Sequence, residues 1–295
     1  MRENGAVTSA TRQPETPAAA LPPRLIATDL DGTLLRDDKS VSERTVAALA
    51  AAEEASIEVF FVTGRPARWM DVVSDHVHGH GLAICGNGAA VVDLHGGPGA
   101  HRFVKVRELA RENALDAVRL LRETAPGTVF AVEQTYGFYQ EPAYPRLHME
   151  IPDTLAPAEQ LLAPDAPGAG EPVLKILAFH HELDPDAFLT VARRAVGDRA
   201  TITRSSPSAL LEISGPGVSK ASTLELCCAE RGISPEEVVA FGDMPNDVEM
   251  LTWAGTSYAM GNAHPAVIAA ASGRTVANND DGVAVVIEKI LAERP

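Results

Sequence analysis

Residues 25–35 read Leu-Ile-Ala-Thr-Asp-Leu-Asp-Gly-Thr-Leu-Leu, an apolar run that stops abruptly at two aspartates and a glycine. An unbroken run of this kind is what a strand buried on both faces of a parallel sheet looks like. Asp29 and Asp31 stand at i and i+2, so in extended chain their carboxylates fall on one side. Gly32 supplies the backbone freedom for a sharp turn. Two anions held together repel, and one pKa rises unless a cation lies between them. A hard divalent ion with oxygen ligands, Mg²⁺ foremost, suits such a pair. The plain alternative is a strand closed by an Asx turn, where aspartate is common for local backbone contacts alone.

The next segments repeat the strand pattern. Ser42 has N-cap chemistry ahead of Glu43, and a helix with Val46, Leu49 and Ala50 on its buried stripe is expected to about residue 55. Residues 57–62, Ile-Glu-Val-Phe-Phe-Val, form a second apolar strand that ends at Thr63-Gly64-Arg65-Pro66. Strand, helix and strand at this spacing make a parallel crossover unit. Thr63 and Asp29 then share the carboxyl edge of the sheet, where open parallel sheets bind ligands. Residues 66–73 read as helix, with Pro66 tolerated at its start, and residues 82–85 as a strand entering Gly86-Asn87-Gly88. His76, His78 and His80 lack a supporting carboxylate or cysteine pattern, so they read as an exposed polar loop rather than a metal site.

Between residues 89 and 213 the texture changes. A hairpin (91–94 with 102–106), an amphipathic helix (107–123) and strands at 128–133, 137–140, 173–179 and 209–213 surround a Pro/Ala/Gly-rich loop at 156–171. A further helix is expected over 185–196. From residue 217 alternation resumes. Ser219 caps a helix carrying Lys220 in its first turn, and Ser234-Pro235-Glu236-Glu237 has capping-box spacing. The apolar strand 238–241 runs into Gly242-Asp243-Met244-Pro245-Asn246-Asp247. A helix (248–254), a strand (257–260), a helix (264–270), a strand (275–277) and a helix (283–293) follow. The expectation is an α/β protein: a parallel-sheet core, 23–88 and 214–295, interrupted by an inserted α+β domain, 89–213. An aperiodic tail rich in Ala, Pro and Thr, 1–22, is expected to be disordered.

Composition excludes several classes of function. The chain has 295 residues, 45% of them hydrophobic, and a net charge of −15 with no Lys/Arg-rich block. Neither a nucleic-acid nor an anionic-membrane surface is expected. No apolar run is long enough to span a bilayer, and the tail lacks the pattern of a secretory signal. Cys85, Cys227 and Cys228 are odd in number and form no C-x-x-C, which points to a reducing, cytoplasmic setting without disulfides.

Asp29, Thr63 and Asp243 end strands of the core, and Lys220 begins a helix as the chain returns from the insert. Carboxylates, a hydroxyl and an ammonium around one crevice match the needs of phosphoryl transfer. A phosphate monoester carries close to two negative charges near neutrality, so a site of carboxylates alone repels it. Mg²⁺ held by Asp29 and Asp243 offsets that repulsion. Lys220, Thr63 and the amides of the 29–33 turn stabilise the phosphoryl oxygens. One carboxylate can then attack phosphorus to form an aspartyl-phosphate, while the other acid of the pair protonates the leaving oxygen and later deprotonates water. Each residue also has a plainer role: Thr63 as a turn residue, Lys220 as a solvated helix-start lysine, and Asn246 and Asp247 as caps. Lys220 is unfavourable at the positive end of the helix dipole, which favours a role for it in the site.

With these residues in view, the chain from Leu25 to Leu291 resembles haloacid dehalogenase-superfamily phosphatases of the Cof-like subfamily. The resemblance implies a Rossmann-like core with an inserted α+β cap. Asp29-Leu30-Asp31-Gly32-Thr33-Leu34 is similar to the first family motif, which implies Asp29 as nucleophile and Asp31 as general acid/base, its backbone carbonyl also binding Mg²⁺. Thr63 matches the second motif and Lys220 the third. The fourth, 242–247, implies Asp243 as a direct metal ligand, Asn246 on the nucleophile or phosphate, and Asp247 as a ligand through water or a support. Residues 259–263 and 281–284 resemble the subfamily's closing segments. A cap over the crevice implies exclusion of water and contacts to the substrate. Arg65 and Asn87, on core loops facing the cap, and Lys175, on a cap strand, are the candidates for substrate binding. Phe138, Tyr139 and Tyr144 read first as buried aromatics and second as lining of a cap pocket. The expected partner is a small phosphorylated metabolite. The alternatives are a phosphotransferase or phosphomutase on the same scaffold, and a non-catalytic sensor of a phosphorylated ligand. A dinucleotide fold is excluded, because a strand and not a helix follows Gly86-Asn87-Gly88 and the third glycine is missing.

Overall fold

The computed structural model describes residues 21–74, 81–146, 151–204 and 208–294. Most of the expected tail and the histidines at 76, 78 and 80 lie outside them. The first elements are β1 (Leu25–Thr28), α1 (Glu43–Glu54), β2 (Glu58–Val62), α2 (Asp71–Ser74), β3 (Leu82–Cys85), β4 (Ala90–Asp93) and β5 (Arg102–Val106). Then follow α3 (Arg111–Thr124), β6 (Val129–Gln134), β7 (Phe138–Gln140), β8 (Thr154–Leu155), α4 (Ala158–Leu161), β9 (Val173–Phe179), α5 (Pro185–Val196), β10 (Thr201–Thr203) and β11 (Leu210–Ser214). The chain closes with α6 (Lys220–Glu230), β12 (Val238–Gly242), α7 (Val248–Trp253), β13 (Thr256–Ala259), α8 (Pro265–Ala270), β14 (Gly273–Arg274) and α9 (Gly282–Ala292).

Two sheets result. The larger has the order β14-β13-β12-β1-β2-β3-β4-β5 and the smaller β10-β11-β9-β6-β7-β8. From β14 to β3 all pairings are parallel. β1 is buried throughout, as a strand enclosed on both faces must be. Thr28 lies level with Phe61 of β2 and Phe241 of β12, so Asp29, Thr63 and Asp243 emerge along one edge. The smaller sheet is antiparallel except between β7 and β8. Leu121 of α3, Leu161 of α4 and Phe188 of α5 bury its outer face.

Local chemistry accounts for most boundaries. The Ser42 Oγ accepts from the Thr45 N–H at 3.1 Å, and Ser219 and Ser222 close a reciprocal capping box at the start of α6. On α1 the buried stripe is Thr45, Ala48, Leu49 and Ala52, so Val46 and Ala50 sit on its flanks. The hairpin assigned to the insert belongs to the larger sheet, because Cys85 pairs with Ala90 and Asp93 with Arg102. The smaller sheet therefore begins only after Val106. Residues 66–73 form a 3₁₀ turn at Ala67–Trp69 and then the short α2, not one helix. The strand expected over 275–277 lies at Gly273–Arg274.

Candidate active site

Lys220 is the buried centre of the site, only 1% exposed. Its Nζ lies 2.8 Å from Asp29 Oδ1 and 2.7 Å from Asp247 Oδ1. The other Asp247 oxygen accepts the backbone N–H groups of Asp243 and Met244, each at 3.0 Å, which fixes the loop after β12. Thr33 donates to Asp243 Oδ1 at 2.9 Å, binding the turn after β1 to that loop. Gly32, with φ of +73°, admits no other residue: a Cβ there falls 2.8 Å from the Asp243 carboxyl carbon. Asn262, from the first of the two closing segments, donates to the Gly32 carbonyl at 2.8 Å and braces the same turn.

Asp29, Asp243 and Asp247 each place a carboxylate oxygen within 4.8 Å of the others. Three buried acids thus stand around one ammonium, which pairs directly with two of them, Asp29 and Asp247. Burial pushes the Asp29 carboxyl well up, and Asp247 and Asp243 add to this against the pull of Lys220. Asp243 is pushed up to about 7 by burial and by Asp247. Burial alone would lower the Lys220 ammonium, but Asp247 and Asp29 outweigh it and hold the group charged. Taken as ionised, the set has two surplus negative charges (three carboxylates, one ammonium). That surplus and the all-oxygen donors fit one hard divalent cation.

Asp31 faces elsewhere. Arg65 grips it with Nε on Oδ2 at 2.6 Å and Nη2 on Oδ1 at 2.7 Å, and Lys39 adds a bond at 2.8 Å. Burial raises its pKa, but these hydrogen bonds prevail and hold it at about 2. The Asp31 carboxylate is therefore outside the acidic cluster, and only its backbone carbonyl remains as the expected metal ligand. Thr63 is buried, and its Oγ1 accepts the Arg65 N–H at 3.1 Å.

A profile of haloacid dehalogenase-like hydrolases matches residues 26–287. The chain belongs to that family. The hydrolase is 29% identical to 5-amino-6-(5-phospho-D-ribitylamino)uracil phosphatase YitU of Bacillus subtilis, over 92% of this chain and 98% of that protein. It is 29% identical to pyridoxal phosphate phosphatase YbhA of Escherichia coli, over 90% and 97%. The solved structure of a haloacid dehalogenase-like hydrolase from B. subtilis superposes with a TM-score of 0.75 at 25% identity, covering 90% of this chain and 99% of that one. The Cof-like phosphatase resemblance of the sequence is thereby met.

In this hydrolase the acidic cluster opens into a cleft of about 690 Å³ between the two sheets. Asp29, Asp31, Thr63, Arg65, Asn246 and Lys175 all reach it. Asn87 does not. It is buried with φ of +55°, accepts from Asn246 Nδ2 at 3.0 Å and donates to Thr203 Oγ1 at 3.3 Å. Its part is to tie the loops after β3 and β12 to β10, and it does not touch the cleft. Lys175 lines the cleft but is already committed, pairing with the buried Glu212 and donating to the Gly64 carbonyl at 2.8 Å. Phe138 and Tyr144 line the cleft, whereas Tyr139 packs into the core behind the small sheet. Sequence reasoning passed over Lys39, Trp69, Glu133 and Gln140, which also reach the cleft. Period-2 alternation in 129–134 and 138–140, with polar residues on the apolar face, was a signal for Glu133 and Gln140. No helix among the described residues is long and apolar enough to cross a membrane.

Proposed function

We propose that this hydrolase is a Mg²⁺-dependent phosphatase of small phosphorylated metabolites, of the sugar-phosphate or cofactor type, acting through an aspartyl-phosphate on Asp29. The observation that carries the reading is the surplus of buried carboxylate around Lys220, beside an open cleft. Asp29 and Asp243, with the Asp31 carbonyl, would hold the ion, and Asp247, which accepts the Asp243 and Met244 amides, would support the loop that carries Asp243. When bound, Mg²⁺ neutralises the acids and the incoming phosphate and polarises phosphoryl oxygens.

The residues of the chain divide the remaining work. Lys220 fixes Asp29 through Oδ1, which leaves the other oxygen to attack phosphorus as the bond to the leaving oxygen breaks. Thr63 receives the Arg65 amide on its Oγ1, so its own proton is available to a phosphoryl oxygen. Asn246, steadied by Asn87, faces the same oxygens. Asp31 protonates the leaving alcohol, and it then takes the proton of the water that cleaves the Asp29–phosphorus bond and releases phosphate. To do so it must swing off Arg65 and Lys39. Two curated relatives carry names of phosphatases for phosphorylated cofactor-type compounds, which supports this range of substrates. Three free thiols among the described residues accord with a cytoplasmic setting.

The test is phosphate release from a panel of metabolites with and without Mg²⁺, beside Asp29→Asn. The variant is expected to stay folded, lose turnover, and form no acid-stable phosphoenzyme from radiolabelled substrate. Substantial residual turnover by Asp29→Asn would remove Asp29 as nucleophile.

A further inference from the structure

We propose that Thr203, the last residue of β10 in the smaller sheet, is a positioning residue for phosphoryl transfer: through Asn87 it holds the Asn246 amide with its amino group turned to the cleft. The inference rests on the phosphatase reading above and adds to it a residue that does not itself line the cleft. The Asn246 Nδ2 donates to Asn87 Oδ1 at 3.0 Å, and the Asn87 Nδ2 donates to Thr203 Oγ1 at 3.3 Å. The loop after β12, the loop after β3 and the edge of the smaller sheet are thus joined by hydrogen bonds that run in one direction. The backbone beneath the middle member is fixed by the core. The N–H groups of Gly86 and Asn87 donate to the Arg65 and Thr63 carbonyls at 2.9 and 3.0 Å, and the Gly88 carbonyl accepts from Thr223 Oγ1 at 2.8 Å. Gly64 leaves the Asn87 side chain its place, since a Cβ there would stand 3.3 Å from Asn87 Oδ1. What these core contacts leave open is which way the Asn87 amide points.

That choice passes to Asn246. A primary amide has two N–H donors and a carbonyl acceptor. Asn246 uses one donor on Asn87, and its Oδ1 is buried with no partner among the described residues. The polar atom left for the cleft is Nδ2, whose second hydrogen suits a phosphoryl oxygen; a carbonyl in that place would repel it. A buried carbonyl without a partner is unfavourable, so this orientation persists only while the bond to Asn87 opposes reversal. Asn87 in turn is 2% exposed, and Thr203 Oγ1 takes its amino group and leaves its oxygen for Asn246. Docking of the smaller sheet has a separate anchor. Thr203 lies level with Glu212, whose partner Lys175 donates to the Gly64 carbonyl. Loss of the Thr203 hydroxyl therefore changes the aim of Asn246 without freeing the sheet.

The experiment uses Thr203→Val, which keeps the shape and removes the hydroxyl, and Thr203→Ser, which keeps the hydroxyl. Hydrolysis of 4-nitrophenyl phosphate with Mg²⁺ gives kcat and KM in wild-type and Asn246→Ala backgrounds. Thr203→Val is expected to lower kcat about fivefold, the weight of one neutral hydrogen bond, with KM within about twofold. Thr203→Ser should stay within about twofold of wild type in both. In the Asn246→Ala background Thr203→Val should cost nothing further, because the residue through which it acts is gone. An equal loss in both backgrounds, or no loss in either, overturns the proposal and leaves the phosphatase standing. Separately, the side-chain amide resonances of Asn87 and Asn246 are followed by heteronuclear NMR without metal or substrate. Both are expected to shift in Thr203→Val and to stay near wild type in Thr203→Ser; an unmoved Asn246 resonance also overturns the proposal. If the wild type releases no phosphate from this ester or from the metabolite panel while the resonances move as expected, the phosphatase reading falls and the hydrogen-bonded chain stands. Should Thr203→Val fail to fold, Thr203→Ala enters the same cycle, and the same losses and resonances decide.

Discussion

Arg65 and Lys39 hold Asp31 as a carboxylate, yet the acid for a leaving oxygen has to carry a proton. Both cations also face the cleft, so an arriving phosphate competes for them and frees Asp31 to change charge. Asp31→Asn is expected to lower kcat by roughly 10²–10⁴-fold on alkyl phosphates. The loss should be far smaller on 4-nitrophenyl phosphate, whose leaving group needs no proton. Equal losses on both would mean that Asp31 positions the site and does not protonate. One residue further, Gly32→Ala combines a left-handed backbone with a collision at Asp243. That substitution should weaken Mg²⁺ binding at least tenfold by isothermal titration, because it displaces the carboxylate that Thr33 orients.

The strand ends that frame the site were legible because buried parallel strands announce themselves as unbroken apolar runs: 25–27, 59–62 and 238–241 needed no partner to be read. The hairpin of β4 and β5 was placed in the insert because antiparallel pairing looks the same whichever sheet it joins. Only the register between Cys85 and Ala90 assigns it. The place of Asn87 was not legible for a similar reason, since its bond to Thr203 joins residues more than a hundred positions apart. Lys175 illustrates the limit from the other side, as nothing near it in sequence predicts Glu212. Between β9 and β11 these two are buried together, at 3% exposure each. Lys175→Met leaves Glu212 buried with its Lys175 partner removed and should cost about 3–5 kcal/mol by chemical denaturation. Adding Glu212→Leu should recover most of that loss. A double variant no more stable than the single would mean that the Gly64 contact, and not the ion pair, holds the small sheet to the core.

Across the whole molecule the acidic cluster couples stability to pH and to the ion. Asp29 and Asp243 have folded pKa values above the unfolded reference of about 3.9. Their contribution is fully present below that reference and is lost as pH rises toward the folded value, about 7 for Asp243. Without metal, stability should therefore fall between about pH 4 and 7 as Asp243 ionises, at up to on the order of 1 kcal/mol per pH unit, and melting temperature with it. Mg²⁺ displaces those protons, so its stabilisation should be larger near pH 8 than near pH 5. A scan with and without Mg²⁺ checks the sign, and an equal shift at both pH values would place the ion away from these acids.

The position of β1 carries one more consequence. It lies between β2, which follows within 40 residues, and β12, which begins at residue 238. During synthesis, Asp29 leaves the ribosome with one neighbour in place, and the other arrives only after the whole smaller sheet has been made. Nascent chains stalled before residue 238 should be readily cut by protease across β1 and protected once β12 has emerged. The reaction centre is thus among the last parts of this protein to come into being.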